Sequence, residues 1–213
     1  MFEDRNDAGS QLAILLAKYK DEEVIILAIP RGGLPIGASV AKFLNAPLDV
    51  VLTKKIGHPN NKEYAIGAVS LESIILSNSM VFDKNYIDRE TERIRKSLKE
   101  RYKQYYKNRS PLNLQKKTVI IVDDGIATGN TLLATIALVH KQKPSKIIIA
   151  IPVAPPSAIY KISNLEHVEE VICILQPDNF RAVGQFYKNF EEVTDQKAIQ
   201  ILDYFNSKEV TNN

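Results

Sequence analysis

Apolar residues fall into short unbroken runs, separated by stretches in which they recur every three or four positions. Val24–Ile29 ("VIILAI"), Leu48–Leu52 ("LDVVL"), Thr118–Val122 ("TVIIV") and Lys146–Ile151 ("KIIIAI") are apolar almost throughout, and Val168–Leu175 ("VEEVICIL") is a fifth run of the same kind. Runs that do not alternate with polar residues suit strands covered on both faces, as in a parallel sheet. Between them, Leu34–Leu44, Thr131–Lys141 and Pro156–Ser163 have helical spacing. Strand and helix patterns taking turns predict right-handed βαβ units. The expected fold class is therefore α/β, a doubly wound, mostly parallel sheet with helices on both faces. Ligands of such sheets bind beyond the carboxyl ends of the strands.

The stretch from Lys54 to Lys117 breaks this alternation. Its first part, "KKIGHPNNKEYAIGAVS", is polar and contains Gly57, Pro59 and Gly67, which predicts a mobile loop or an irregular hairpin. Its second part predicts a charged helix over Asp83–Arg109, with Ile87, Ile94, Leu98, Tyr102 and Tyr105 forming a narrow apolar stripe. From Arg89 to Arg109 this helix carries nine basic and three acidic residues. A solvated outer face explains that charge more simply than nucleic-acid binding does.

Composition narrows the class further. With 213 residues, 45% hydrophobic and 25% charged, the chain has globular balance and the length of a single domain, 1–213, with a core over about 24–175. The 28 basic and 25 acidic residues give a net charge of +3, too even to imply nucleic acid or membrane, though it permits an anionic small ligand. Cys173, the one cysteine, lies in an apolar run, so a buried inert thiol and a reducing compartment are expected. No run approaches the roughly 20 apolar residues of a membrane span, and the acidic start "MFEDRND" differs from a secretory signal. The expected location is cytoplasmic. His58 sits in the polar loop, and His140 and His167 have no ligand spacing with another His, Cys or carboxylate, so no protein-built metal site is expected.

The candidate chemistry lies in "VIIVDDGIATGNTL", Val119–Leu132. Adjacent acids at the end of a buried run repel each other, which folding alone would not select. Gly125 and Gly129 allow close backbone approach, and Thr128 and Thr131 place hydroxyls near a helix N-terminus, a set suited to a phosphate monoester. Asp123 and Asp124 precede it, where carboxylates can accept hydrogen bonds from vicinal hydroxyls. Phosphate plus diol implies a sugar phosphate. A Walker-type loop would need Lys after the second glycine, where Asn130 stands, and no G-x-S-x-G elbow occurs.

This segment resembles the phosphoribosyl pyrophosphate (PRPP) signature of the type I phosphoribosyltransferases. The resemblance implies that Gly125, Ile126, Ala127, Thr128, Gly129, Asn130 and Thr131 hold the 5'-phosphate, and that Asp123 and Asp124 are the catalytic acids at the ribose hydroxyls. "AIPRGGLPIGASVA" (Ala28–Ala41) is similar to the family's pyrophosphate loop, which assigns Arg31, Gly32 and Gly33 to pyrophosphate. Lys54 and Lys55, read as ending the second strand, match a basic position with the same role. "KIGHPNNKEYAIGAV" resembles a subgroup described only as predicted phosphoribosyltransferases, as does "FRAVGQFYKNF". The family implies a flexible lid from Gly57 to about Ala68 within the 54–117 insertion, and a small C-terminal hood or tail over about 176–213. It also implies Mg2+ carried mainly by pyrophosphate, and a homodimer. The expected partners are small molecules, PRPP and an unassigned acceptor, with no nucleic acid and no membrane.

Two features bear on the acceptor. Relatives that use 6-oxopurines usually have Asp before the Thr-Gly of the signature, where this chain has Ala127, and a Lys after the next strand, where it reads "IPVAPPSA". The resemblance thus points to adenine or a smaller nitrogen compound ahead of guanine or hypoxanthine. Phe180, Phe186, Tyr187 and Phe190 are aromatic candidates for stacking on a flat acceptor, or for the core. The alternative is a regulatory protein of the same fold that binds PRPP without turnover.

Overall fold

The computed structural model describes residues 1–71, 73–76, 82–107 and 109–210. Five strands, β1 (Val24–Ala28), β2 (Leu48–Val50), β6 (Thr118–Val122), β7 (Lys146–Val153) and β8 (Glu170–Leu175), form an all-parallel sheet in the order β2-β1-β6-β7-β8. All five expected runs are strands of this sheet. Side chains alternate between its faces. Ile26, Ala28, Ile120, Val122, Ile148 and Ala150 face one core, shared with helices α1 (Arg5–Leu15), α2 (Gly33–Leu44) and α6 (Asp195–Val210). Ile25, Leu27, Val119, Ile121, Ile147 and Ile149 face a second core, under α4 (Asn130–His140) and α5 (Pro156–Ser163). Covering both faces is why the runs contain no regular polar alternation, and each fully buried Ile or Leu contributes roughly 1.5–3 kcal/mol.

The insertion is more ordered than a loop. β3 (Lys54–His58), β4 (Asn61–Val69) and β5 (Ile74–Leu76) make a separate antiparallel sheet. Its hairpin is irregular, with register shifts on both sides of Gly57. A Cβ at Gly57 would come within 2.5 Å of the Lys62 carbonyl oxygen, so the bulge needs glycine there. α3 (Lys84–Tyr106), capped by Asp83, lays Ile87, Ile94 and Leu98 on Ile56, Ile66 and Val69 as a third core. Tyr105 is buried on the expected stripe and Tyr102 is half-buried. Of the expected span Asp83–Arg109, Asn108 lies outside the described residues, as do residues 72 and 77–81 of the insertion.

One reading needs correction. Lys54 and Lys55 do not end the second strand. β2 stops at Val50, and the two lysines open β3, in the other sheet. The α1 and α6 helices have no counterpart in the expected elements. Gly9 lets α1 approach α2 closely, since a Cβ there would lie 2.8 Å from Ser39 Cβ and 3.1 Å from Ile36 Cα.

Candidate functional site

Sheet order locates the site. The chain runs from β1 outward to β2 and then returns to the other side of β1 as β6, so the winding direction reverses between β1 and β6. Crevices beyond the carboxyl ends of strands at such a reversal are where doubly wound sheets bind ligands. Pro30–Gly33 leaves β1 there, and Asp123–Gly129 leaves β6 beside it. The Pro30–Arg31 peptide bond is cis.

The two segments abut. Ile29 N donates to Val122 O at 2.9 Å, and Gly33 N to Ile29 O at 3.0 Å, which clamps the turn against β6. A Cβ on Gly33 would meet Val122 O at 2.7 Å, and one on Gly32 would overlap the Asp124 carboxylate. The glycines of the first segment are therefore what lets it lie against the acids of the second. Arg31 points to the C-terminal segment, paired with Glu192 and, at 3.6 Å, with Asp195.

From Gly125 onward the second segment becomes a cradle. Ile126 is buried and donates its N–H to Val153 O at 2.9 Å, pinning the loop to the end of β7. Ala127, Thr128 and Thr131 stay exposed. Gly129 precedes α4 with a left-handed φ of 76°. The first turn of the following helix, from Asn130, has N–H groups without a partner inside the helix and no side-chain cap at Gly129, a geometry suited to an anion.

Electrostatics divides the acid pair. Asp124 N donates to Asp123 Oδ1 at 2.8 Å. Burial, and then the Asp124 charge, push the Asp123 carboxyl well above the usual carboxylate range. Asp124 instead has a cation: Arg5 Nε and Nη2 lie 2.9 and 2.8 Å from its Oδ2, in a pair whose side chains are only 11% and 16% exposed. Removing one partner of such a buried pair costs about 3–5 kcal/mol. Tyr187 OH donates to Asp124 O at 2.6 Å, and its own pKa is raised, first by burial and then by the acids.

Arg5 and Glu192 are residues that the sequence reading missed, and Tyr187, expected to stack or join the core, also contacts Asp124 through its hydroxyl. All lie near the chain ends, and Arg5 is separated from Asp124 by 119 positions. Of the four aromatic candidates, Tyr187 is buried, whereas Phe190 is exposed and packs on Tyr187 and Arg5 from the surface. Phe190 lies under the Arg5 guanidinium at 3.8 Å, while Phe2 and Phe190 flank Tyr187 at 5.2 and 4.9 Å between ring centroids. Phe180 and Phe186 stack on each other at 5.6 Å. The expected site residues that converge are thus Arg31, Gly32, Gly33 and Asp123 to Thr131. Lys54 is exposed and Lys55 half-buried on β3; the linker before them is tied to α4 by the Thr53–Thr135 hydroxyl contact at 2.9 Å.

The remaining singled-out residues have structural surroundings. His58 Nδ1 accepts from Asn60 N, and its ring meets Tyr64 and Phe82 edge-on. His140 and His167 stack with centroids 4.3 Å apart. Burial pushes the Cys173 thiol up to about 11, in keeping with an inert cysteine. Among the described residues no cluster of three or more His, Cys, Asp or Glu could hold a metal ion, and no helix is long and apolar enough to cross a membrane.

The phosphoribosyl transferase domain profile matches residues 6–191. "Putative phosphoribosyl transferase Rv0571c" of Mycobacterium tuberculosis is 36% identical over 208 residues, which is 95% of this chain and 46% of that protein. The chain thus spans about half the length of that curated relative. Uracil phosphoribosyltransferase of Mycoplasma genitalium is 41% identical over 66 residues, 30% of this chain and 32% of that one. The crystal structure of TT1426 from Thermus thermophilus superposes with a TM-score of 0.89 at 36% identity, over 96% of this chain and 99% of that chain. This chain belongs to the phosphoribosyl transferase family, and its sheet has the type I architecture.

Proposed function

We propose that the chain transfers the 5-phosphoribosyl group of PRPP to a nitrogen nucleophile and releases pyrophosphate. The observation that carries this reading is the meeting of the Arg31–Gly33 turn with Asp123 and Asp124 at the reversal of the sheet. A ligand with a 5'-phosphate on Gly125–Thr131 would set its ribose diol against the two acids. Its diphosphate would then lie along Gly32 and Gly33 toward Arg31. Departure of pyrophosphate leaves positive charge on the sugar ring, which Asp123 and Asp124 stabilise. Arg31, with Lys54 or Lys55, receives the leaving group. A magnesium ion carried in with the pyrophosphate would supply further charge neutralisation beside Arg31.

The β3–β4 hairpin would be the lid that excludes water during transfer. For the acceptor, Ala127 offers no proton-exchanging group, which favours adenine or a smaller nitrogen heterocycle over guanine or hypoxanthine. The molecule would act in the cytoplasm as a homodimer. A second reading, a PRPP-binding regulator, draws on the exposed Arg89, Lys96, Lys99 and Lys103 of α3, a face that suits a polyanion.

A pyrophosphate-release screen with PRPP, magnesium and a panel of purines, pyrimidines and smaller nitrogen compounds tests the proposal. Melting of the protein with PRPP and magnesium runs beside it. Binding at 100 times the dissociation constant should stabilise the fold by about 2.7 kcal/mol. No thermal response would overturn the sugar-phosphate reading. A thermal response without turnover on any acceptor, joined to PRPP-dependent nucleic-acid binding, would favour the regulator.

A further inference from the structure

Arg5 makes more contacts with the candidate site than any part of the sugar-phosphate reading requires. It leaves the first turn of α1, and both Nε and Nη2 reach the same oxygen of Asp124, Oδ2. Its remaining terminal nitrogen, Nη1, donates to Glu191 O at 2.6 Å, and the guanidinium plane sits 3.8 Å above the centre of the Phe190 ring. One cation therefore touches Asp124, the backbone of the C-terminal segment and an aromatic ring of that segment. Arginine's planar fork is suited to such a junction in a way that the point charge of lysine is not.

We propose that Arg5 is a positioning residue of the PRPP site, fixing the Asp124 carboxylate with Oδ2 engaged and Oδ1 turned to the ribose diol while holding the hood against the acid pair. The inference rests on the phosphoribosyl reading above. Its physical basis is the problem raised by two adjacent carboxylates in a half-buried crevice. Left to themselves they repel, and the cheapest relief is to bind a proton. A proton shared by the pair removes an acceptor that the diol needs. Arg5 supplies the opposing charge in the ligand-free molecule and lowers the proton affinity of Asp123 across the pair. The groups acting on the pair are Arg5 from α1 and Tyr187 from the hood, whereas Arg31, beside Gly32, is turned to Glu192 and Asp195.

Arg5 does not need to touch the ligand, so its removal is expected to act through the acids. Affinity for PRPP with magnesium, measured from pH 5 to 9 by calorimetry, separates this role from a merely structural one. Arg5→Met should weaken PRPP binding at neutral pH by about 10- to 100-fold, the range for losing a charge-assisted hydrogen bond. It should also move the acid limb of the binding profile to higher pH, because the pair then takes up a proton more readily. Arg5→Lys should keep the acid limb in place, since the charge remains, yet bind several-fold more weakly than wild type because the fork is gone.

Circular dichroism and melting establish which variants fold. If Arg5→Met does not, the lysine variant decides alone: weakened binding with an unmoved acid limb supports the role, and wild-type affinity overturns it. A folded Arg5→Met protein with wild-type affinity and an unmoved acid limb overturns it as well. Failure of the wild-type protein itself to bind PRPP is a different result, which removes the phosphoribosyl reading and the assignment of Arg5 with it.

Discussion

Asp123 carries a carboxyl whose charge burial disfavours, which predicts a cost in stability in the ligand-free protein. Its folded pKa is raised, by burial first and the Asp124 charge second. For a carboxyl shifted in this direction the contribution to stability is fully present below the unfolded pKa and is lost as pH rises through the folded pKa. At neutral pH the group is therefore destabilising relative to a neutral side chain of the same shape. Asp123→Asn is expected to melt higher than wild type at about pH 7, with the advantage shrinking toward about pH 4, where the unfolded-state carboxyl also protonates. Melting curves across that range check this; a variant less stable at neutral pH would make Asp123 a structural acceptor instead. Gly129 poses a different residue-scale question. The nearest atom to a Cβ there is 3.7 Å away, so space is available, but φ is 76°. Gly129→Ala should therefore cost roughly 1–2 kcal/mol through the backbone alone, readable in urea midpoints. Gly32→Ala has the opposite cause, since its Cβ would overlap the Asp124 carboxylate, and should displace that acid.

At the scale of elements, the C-terminal segment and the Arg31–Gly33 turn are held together by charge. Glu192, 75% exposed, holds an Arg31 nitrogen that the proposed reaction needs for the leaving group. An exposed pair contributes about 0.2–1 kcal/mol, so releasing Arg31 by Glu192→Gln should tighten pyrophosphate binding by up to about five-fold. Calorimetry with pyrophosphate and magnesium measures this, and weaker binding would mean that Glu192 organises Arg31 rather than competing for it. The element scale is also where legibility in sequence ends. Strands β1, β2, β6, β7 and β8 are readable because burial on both faces leaves long apolar runs. α1 is not, because its buried face includes Ala8, Gly9 and Ala13, small residues chosen for close approach to α2 and weak in any amphipathic pattern. β3 and β4 carry turn-forming residues that read equally as a mobile loop or an irregular hairpin; the hairpin is what forms, and its pairing with β5 and packing under α3 have no local signal. Both candidate ligand segments are contiguous stretches, so each is legible by itself. Their mutual contact, and the Arg5 contact to Asp124, depend on tertiary folding and have no local signature.

Over the whole molecule, the N-terminal segment and the segment around residues 186–189 close on one place. Phe2 is 2% exposed; its N–H donates to Phe186 O, and Lys188 N and Asn189 N donate back to Phe2 O and Glu3 O, all at 2.8–2.9 Å. This short parallel pairing lies directly behind Tyr187 and Arg5, the two side chains that grip Asp124 from opposite ends of the sequence. A ligand that engages Asp124 favours the conformation in which both grips are made, and so should stabilise the pairing although it touches none of these amides. Hydrogen exchange distinguishes this from a purely local effect. On adding PRPP with magnesium, exchange at the amides of Phe2, Lys188 and Asn189 should slow together with that of residues 123–131. Amides in the middle of β6 and β7, which open only on global unfolding, should slow by no more than the overall gain in stability. Protection confined to residues 123–131 would show that the two paired segments cover the site without being coupled to it.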